Sequence, residues 1–164
     1  MKNPPRKKQP VWIRPAEWVI AGLLTALALG LHILFFRNVG GIWRDEVNSL
    51  SFATMPLADA FHNLRYDSFP LLTTIVLRAW VHVAGASDLA LRIYGLLVGT
   101  LFLAAIWFTG RQLGPGPPLI PLALVGLNPW VVRTTDAIRP YGWGLVLIVA
   151  TLGCVWKAVE TEKP

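Results

Sequence analysis

Residues 18–36, WVIAGLLTALALGLHILFF, form an uncharged run of 19 residues directly after a basic N-terminal stretch. At ~1.5 Å per residue, a helix of that length nearly matches the ~30 Å hydrocarbon core of a bilayer. The run is longer than the ~7–15 apolar residues of a signal-peptide h-region. Phe35, Phe36 and Arg37 stand where a small-residue cleavage site would be, so an uncleaved first transmembrane helix is expected. The rest of the chain agrees: 54% apolar against 15% charged residues and a mean hydropathy of +0.52 over 164 residues are too apolar for an ordinary soluble domain.

The positive charge is arranged to suit a membrane. Lys+Arg number 15 against 9 Asp+Glu, a net charge of +6, and five of the basic residues fall within the first fourteen. Most of the others are single arginines between apolar runs, a pattern of helix ends and a cytoplasmic tail that does not match a nucleic-acid surface. Residues 1–15 are Pro- and Lys/Arg-rich and are expected to be disordered, cytoplasmic and suited to an anionic leaflet. Beyond Arg37 the chain turns polar, and Val47, Leu50, Phe52, Ala53, Leu57 and Phe61 recur at roughly helical spacing. That spacing predicts an amphipathic helix lying on the surface. Residues 70–86 are apolar again but carry Arg78 and His82, and an arginine near the bilayer centre costs ~2.5–3.5 kcal/mol on insertion scales. Residues 93–110 are an uncharged span; 111–118 form a tight loop; a shorter span follows, broken near Pro121 and Asn128-Pro129; residues 141–156 form the last span.

Two topologies follow. If 70–86 crosses, there are five spans; if it lies flat, there are four. Counting Lys and Arg on each side does not separate them, although all five lysines fall inside in the four-span arrangement. The expected organisation is a tail at 1–15, a helical membrane module at 16–158 and a charged tail at 159–164, with the N-terminus in the cytoplasm and the chain in the plasma (inner) membrane.

Several familiar chemistries find little support. Cys154 is the single cysteine, which leaves no internal disulfide or Cys-rich metal site. His32, His62 and His82 show no i, i+4 pairing suited to zinc. Gly114-Pro-Gly116 lacks the Lys-Ser/Thr ending of a phosphate loop. Six of the eight tryptophans, Trp12, Trp18, Trp43, Trp80, Trp130 and Trp156, stand near proposed helix ends, where aromatic belts form.

What remains is a set of charged residues flanking the spans: Asp45, Glu46, Asp67, Asp136 and Arg139. Carboxylates in such places are costly unless paired or solvated. In the four-span topology all five lie on the face opposite the basic tail; in the five-span topology Asp136 and Arg139 move to the other face. An arginine can pair with phosphate oxygens, and a nearby carboxylate can accept the proton of an attacking hydroxyl. The same residues also fit plain structural roles, with Asp45-Glu46 capping a helix and Arg139 at the lipid headgroups.

The order of short motifs adds a resemblance. Trp43-Arg44-Asp45-Glu46, Asp67-Ser-Phe-Pro70-Leu, Ser87-Asp-Leu-Ala-Leu-Arg92-Ile-Tyr-Gly, Arg111-Gln-Leu-Gly114, Asn128-Pro129 and Asp136-Ala-Ile-Arg139-Pro140-Tyr141 together resemble the N-terminal part of bacterial GT-C glycosyltransferases. Within that superfamily the chain is most similar to the protein O-mannosyltransferase-like, aminoarabinose-transferase-like group, over roughly residues 15–160. The resemblance implies an all-α, polytopic membrane protein with about four transmembrane helices, near 18–36, 88–110, 118–134 and 141–157, plus two juxtamembrane surface helices in the first external loop. It implies a sugar transferase that takes its donor from a polyprenyl-phosphate carrier on the extracytoplasmic face, for an acceptor glycan, lipid or protein. Asp45 and Glu46 take the catalytic positions, with Asp45 the base. Arg139 and Arg44 are expected at the donor phosphate, and Asp67, Asp136 and Tyr141 in support. A divalent cation, Mg or Mn, could be held by oxygen ligands such as Asp45 and Asp136. Relatives commonly carry Asp-x-His-Pro-Pro-Leu where this chain has Asp67-Ser-Phe69-Pro70-Leu71-Leu72, which leaves no histidine at that position. Relatives also continue through many further spans, so the expectation is a truncated N-terminal portion of such an enzyme with an incomplete donor pocket. The competing class is a non-enzymatic anchoring or assembly subunit using Gly95, Gly99, Ala104 and Ala105 as a helix contact face. A transporter fragment is a third reading, disfavoured because the acids lie at span ends.

Overall fold

The computed structural model describes residues 13–64 and 70–161. Most of the tail assigned to 1–15, the carboxylate Asp67 and residues 162–164 lie outside the described residues. The helices are α1 (Ile13–Asn38), α2 (Arg44–Thr54), α3 (Leu57–Leu64), α4 (Leu71–Ala84), α5 (Asp88–Leu113), α6 (Leu119–Pro121), α7 (Pro129–Asp136) and α8 (Pro140–Thr161), with no strand among the described residues. Three of them, α1, α5 and α8, are long and apolar enough to cross a membrane.

α5 is the axis of the bundle. Ser87 caps its start, its Oγ accepting the Ala90 N–H at 3.3 Å, and Asp88 complements the positive end of the helix dipole in the first turn. Leu91, Val98, Phe102, Leu103 and Ile106 are buried along it. α1 runs antiparallel to α5: Trp18 stacks on Trp107 at 6.0 Å, Trp107 Nε1 donates to Thr25 Oγ1 at 3.0 Å, and His32 reaches the level of Gly99. α8 runs parallel to α5, with Gly142 beside Val98 and Gly153 beside Thr109. The segment 119–136 returns between them, starting where Pro118 meets Gly110 and ending where Asp136 meets Gly95.

That returning segment is broken where the sequence places its prolines. After Pro121 the backbone opens into a π-helical stretch, Leu122–Gly126, in which Leu127 N–H reaches back to the Leu122 carbonyl at 3.1 Å. Asn128 then caps a fresh helix, its Oδ1 accepting the Trp130 N–H at 2.9 Å, with Pro129 at the first helical position, where its missing N–H costs nothing.

The first loop departs from the sequence expectation. The single amphipathic helix predicted across Val47 to Phe61 is two helices, so three rather than two helices, α2, α3 and α4, lie between α1 and α5. The cause is Pro56, which drives Met55 into an extended conformation (φ −65°, ψ 161°) and stops α2 one residue earlier. α4 has 14 residues, about 21 Å of helix. Arg78, the charge that argued against a crossing at 70–86, donates from Nη1 to the Met55 carbonyl at the C-terminal end of α2, at 2.7 Å, where a cation meets the negative end of the helix dipole. Trp80 Nε1 donates to the Ala90 carbonyl at 3.0 Å and fastens α4 to the start of α5. The chain therefore leaves α1 and enters α5 at the same end of the bundle.

Helices in lipid gain nothing from mutual hydrophobic burial and associate through close packing of small residues. Gly95 and Gly99 of α5 provide that packing inside the chain: a Cβ on Gly95 would overlap the Asp136 carbonyl oxygen, and one on Gly99 would overlap Asp136 Oδ1. Of the four residues proposed as an outward contact face, these two are buried here and so is Ala105, while Ala104 alone is exposed. Gly95→Ala is expected to destabilise the protein by about 1–3 kcal/mol, the usual penalty for overpacking, whereas Gly30→Ala, with open space around it, should be neutral or slightly stabilising. Thermal unfolding in detergent, followed by near-ultraviolet circular dichroism, measures both; equal midpoints for the two variants would show that α7 does not lie against Gly95.

Candidate functional site

Asp45 and Glu46 begin α2 side by side, and the fold gives them opposite fates. Glu46 turns inward and is 5% exposed. Its carboxylate accepts from Arg92 Nη1 and Nη2, each at 3.0 Å, from the Trp43 backbone N–H at 2.9 Å and from the Ile138 backbone N–H at 3.0 Å. The Trp43 bond is the carboxylate half of a capping box. Arg92 in turn donates to the Gly40 and Gly41 carbonyls, and Gly40 adopts φ 71°, a conformation glycine reaches without strain. The pair thus joins the end of α1, the start of α2, α5 and the turn before α8. With its lone pairs engaged, Glu46 holds neighbours in place and has nothing left for a substrate.

Asp45 turns outward. Its Oδ2 accepts from Arg139 Nη1 at 2.6 Å, and the two side chains are 57% and 28% exposed. Asp45 and Arg139, 94 positions apart in sequence, thus meet in the folded chain. The Arg139 guanidinium also lies 5.1 Å from the Tyr141 ring centroid, and its buried Nε has no partner among the described residues.

These residues line a cleft of about 400 Å³ at one end of the bundle, together with Trp43, Trp130, Arg133 and Thr134. Arg133 is the residue sequence reasoning missed. Its guanidinium carbon sits 6.0 Å from the Trp43 ring and 5.6 Å from the Trp130 ring, the geometry of cation–π contact. The only signal in the sequence was Trp130-x-x-Arg133, an i, i+3 pair on one helix face. Arg44, expected beside Arg139, is exposed as the first residue of α2 and does not line the cleft.

Asp136 is elsewhere. It is buried at the end of α7, with Oδ1 hydrogen bonded to His32 Nδ1 at 2.7 Å; both side chains are almost fully enclosed. It does not line the cleft, so Asp45 and Asp136 do not converge on a shared ion, and among the described residues no three His, Cys, Asp or Glu side chains form a metal-binding group. The carboxylates as placed do not fit a divalent cation, and Asp67 lies outside the described residues. His32 was legible only as a lone histidine in an apolar run; its partner came from the far end of the chain.

The described residues thus form an all-helical bundle with three helices of membrane-spanning length and a cleft at one end that combines two arginines, an exposed carboxylate and four aromatic rings. No protein-family model matches the chain, and no curated protein or solved structure matches it either.

The two acidic neighbours separate cleanly by experiment. Glu46→Gln leaves a buried Arg92 charge without its counterion and is expected to cost about 3–5 kcal/mol. Asp45→Asn breaks an exposed pair, which is worth about 0–1 kcal/mol. Urea titration of both variants in the same detergent provides the comparison; a Glu46→Gln protein as stable as Asp45→Asn contradicts the buried network.

Proposed function

We propose that the protein is a membrane glycosyltransferase, or the N-terminal part of one, that transfers a sugar from a polyprenyl-phosphate donor on the extracytoplasmic face. The observation that carries this reading is the meeting of Asp45 and Arg139 in an aromatic-walled cleft at the end of the bundle where α1 finishes and α5 begins. A glycosyl phosphate needs a cation at the phosphate, a base for the acceptor hydroxyl and flat surfaces for the sugar, and those residue types are present together.

In the proposed reaction, the acceptor oxygen attacks the anomeric carbon and its proton passes to the Asp45 carboxylate. The bond between the anomeric carbon and the phosphate oxygen breaks, and its electron pair leaves with the polyprenyl phosphate, where Arg139 stabilises the added charge. A single displacement of this kind inverts the anomeric centre. In the free protein Arg139 neutralises Asp45; engagement of a donor phosphate by Arg139 would release that carboxylate to act as base. Glu46 and Arg92 act one step back, by fixing where α2 begins and so where Asp45 emerges. Tyr141 supports the Arg139 guanidinium with its ring.

The topology that goes with this reading has four crossings: α1, α5, the broken segment 119–136 and α8, with α2, α3 and α4 on the outer surface. A broken helix and a buried ionisable pair such as His32–Asp136 are also features that transporters use. Neither side chain of that pair opens onto the cleft, so the transferase reading accounts for more of what lies there.

Cysteine labelling tests the topology. With Cys154 replaced by alanine, a membrane-impermeant maleimide should reach Asp59→Cys and Ala137→Cys from one face and Pro115→Cys from the other. Labelling of Asp59→Cys and Ala137→Cys from opposite faces would falsify four crossings. The chemistry is tested in membrane vesicles from cells expressing the protein at its native locus, supplied with synthetic polyprenyl-phosphate sugars. Asp45→Asn should lower transfer by a factor of ~10²–10⁴, the usual contribution of a positioned acid or base. Undiminished transfer by correctly inserted Asp45→Asn protein removes Asp45 from the mechanism.

A further inference from the structure

Two carboxylates and two guanidiniums line the cleft, Asp45, Glu46, Arg133 and Arg139, and the buried Arg92 behind Glu46 leaves the set with one positive charge in excess. Asp45 is matched by Arg139 and Glu46 by Arg92, and Arg133 is left over: no carboxylate lies within ion-pair distance of it among the described residues. An arginine at a lipid interface ordinarily finds a counterion or turns out toward water. This one is exposed, and its guanidinium carbon lies within cation–π reach of two indoles from different parts of the chain, Trp130 one turn before it on α7 and Trp43 at the start of α2. Both tryptophans are largely exposed, at 73% and 65%, so their rings lie against the guanidinium instead of filling the core. Ring faces engage the flat of a guanidinium and leave its in-plane N–H donors free. The wall of the cleft therefore carries a cation that has no carboxylate partner among the described residues and whose in-plane donors are available.

We propose that Arg133, steadied by Trp43 and Trp130, is the anion-anchoring residue of the cleft and takes the singly charged phosphate of a phosphodiester. One unmatched positive charge calls for one negative charge, and a planar fork suits two oxygens of a phosphate. The proposal deepens the transferase reading and rests on it only for the identity of the ligand. A phosphodiester reaches this end of the bundle in two forms, as a sugar linked to a lipid through phosphate or as the headgroup of a bilayer phospholipid. Arg133 serves the anion in either case, and Arg139 remains free to exchange between the ligand and Asp45.

The test uses the full chain purified in a phosphate-free maltoside detergent, with binding measured by titration calorimetry. Three probes are compared: an alkyl hexosyl phosphate, the same alkyl hexoside without phosphate, and a short-chain phosphatidylglycerol. Arg133→Gln should weaken binding of a phosphate probe by about 10-fold or more, the loss expected for a charge-assisted hydrogen bond, and leave the uncharged hexoside unaffected. Arg133→Lys keeps the charge without the fork and should fall between. Arg37→Gln, which removes an exposed charge that does not line the cleft, should bind like the parent protein. If the hexosyl phosphate responds to Arg133, both the anchor and the transferase reading gain. If only the phosphatidylglycerol responds, the anchor stands as a headgroup site and the donor phosphate falls to Arg139 alone; a parent protein that binds phosphatidylglycerol but no hexosyl phosphate counts against the transferase reading. Unchanged binding of both phosphate probes by Arg133→Gln overturns the anchor, as does an equal loss of the uncharged hexoside, which would mark a packing defect.

Discussion

The buried pair between Glu46 and Arg92 sets the geometry on which the cleft end of the molecule depends. A buried ion pair does little for net stability compared with a well-packed apolar pair, but removing either partner is expensive, so it strongly favours the arrangement in which both are satisfied. Here that arrangement requires four stretches of chain to arrive together: the glycines after α1, the start of α2, the first turns of α5 and the turn before α8. Successive residues on a helix diverge by about 100°. Once Glu46 is committed inward, Asp45 has to emerge on a different face. The exposed carboxylate is placed by its buried neighbour.

A second constraint acts at the other side of the same end. α7 finishes against Gly95 and Gly99, where the absence of side chains lets the Asp136 backbone and carboxylate approach α5, and His32 of α1 supplies the hydrogen bond that the enclosed Asp136 Oδ1 needs. With Asp136 fixed there, the three residues that follow turn back toward α2, bringing Ile138 N–H to Glu46 and Arg139 to Asp45. The π-helical stretch and the cap at Asn128 set the rotation at which α7 begins, and hence the face from which Arg133 meets the two indoles. Strict helical geometry through 119–136 would turn that face elsewhere.

The chemical character of the cleft follows from these placements. Two arginines reach it, but only one has a carboxylate partner among the described residues, and the aromatic residues around them offer ring faces to cations. Tryptophans 43 and 130 read in isolation as interface anchors. Their rings in fact converge on a common guanidinium, and nothing short of the folded chain reveals that both belong to one site.

The sequence by itself determined the helical architecture and much of its punctuation, because these depend on local chemistry: the uncharged runs at α1, α5 and α8, and the break of the segment 119–136 near Pro121 and Asn128-Pro129. The same local rules account for the one misreading of the first loop, since Pro56 was visible in Val47 to Phe61 but was outweighed there by hydrophobic spacing. Pairing two charged ends of the chain was beyond such rules. Asp45 and Arg139 were both legible as candidates, yet identical residue types stood at Asp136 and Arg44, and periodicity carries no information about contacts between positions 94 apart. Only tertiary structure decided that Glu46 is spent on Arg92, that Asp136 is enclosed with His32, that Arg44 stays outside the cleft and that Arg133 enters it. The physical reason is that each of these outcomes is a competition among distant groups for the same few donors and acceptors, and the packing of α7 against the glycines of α5 settles which of them can meet.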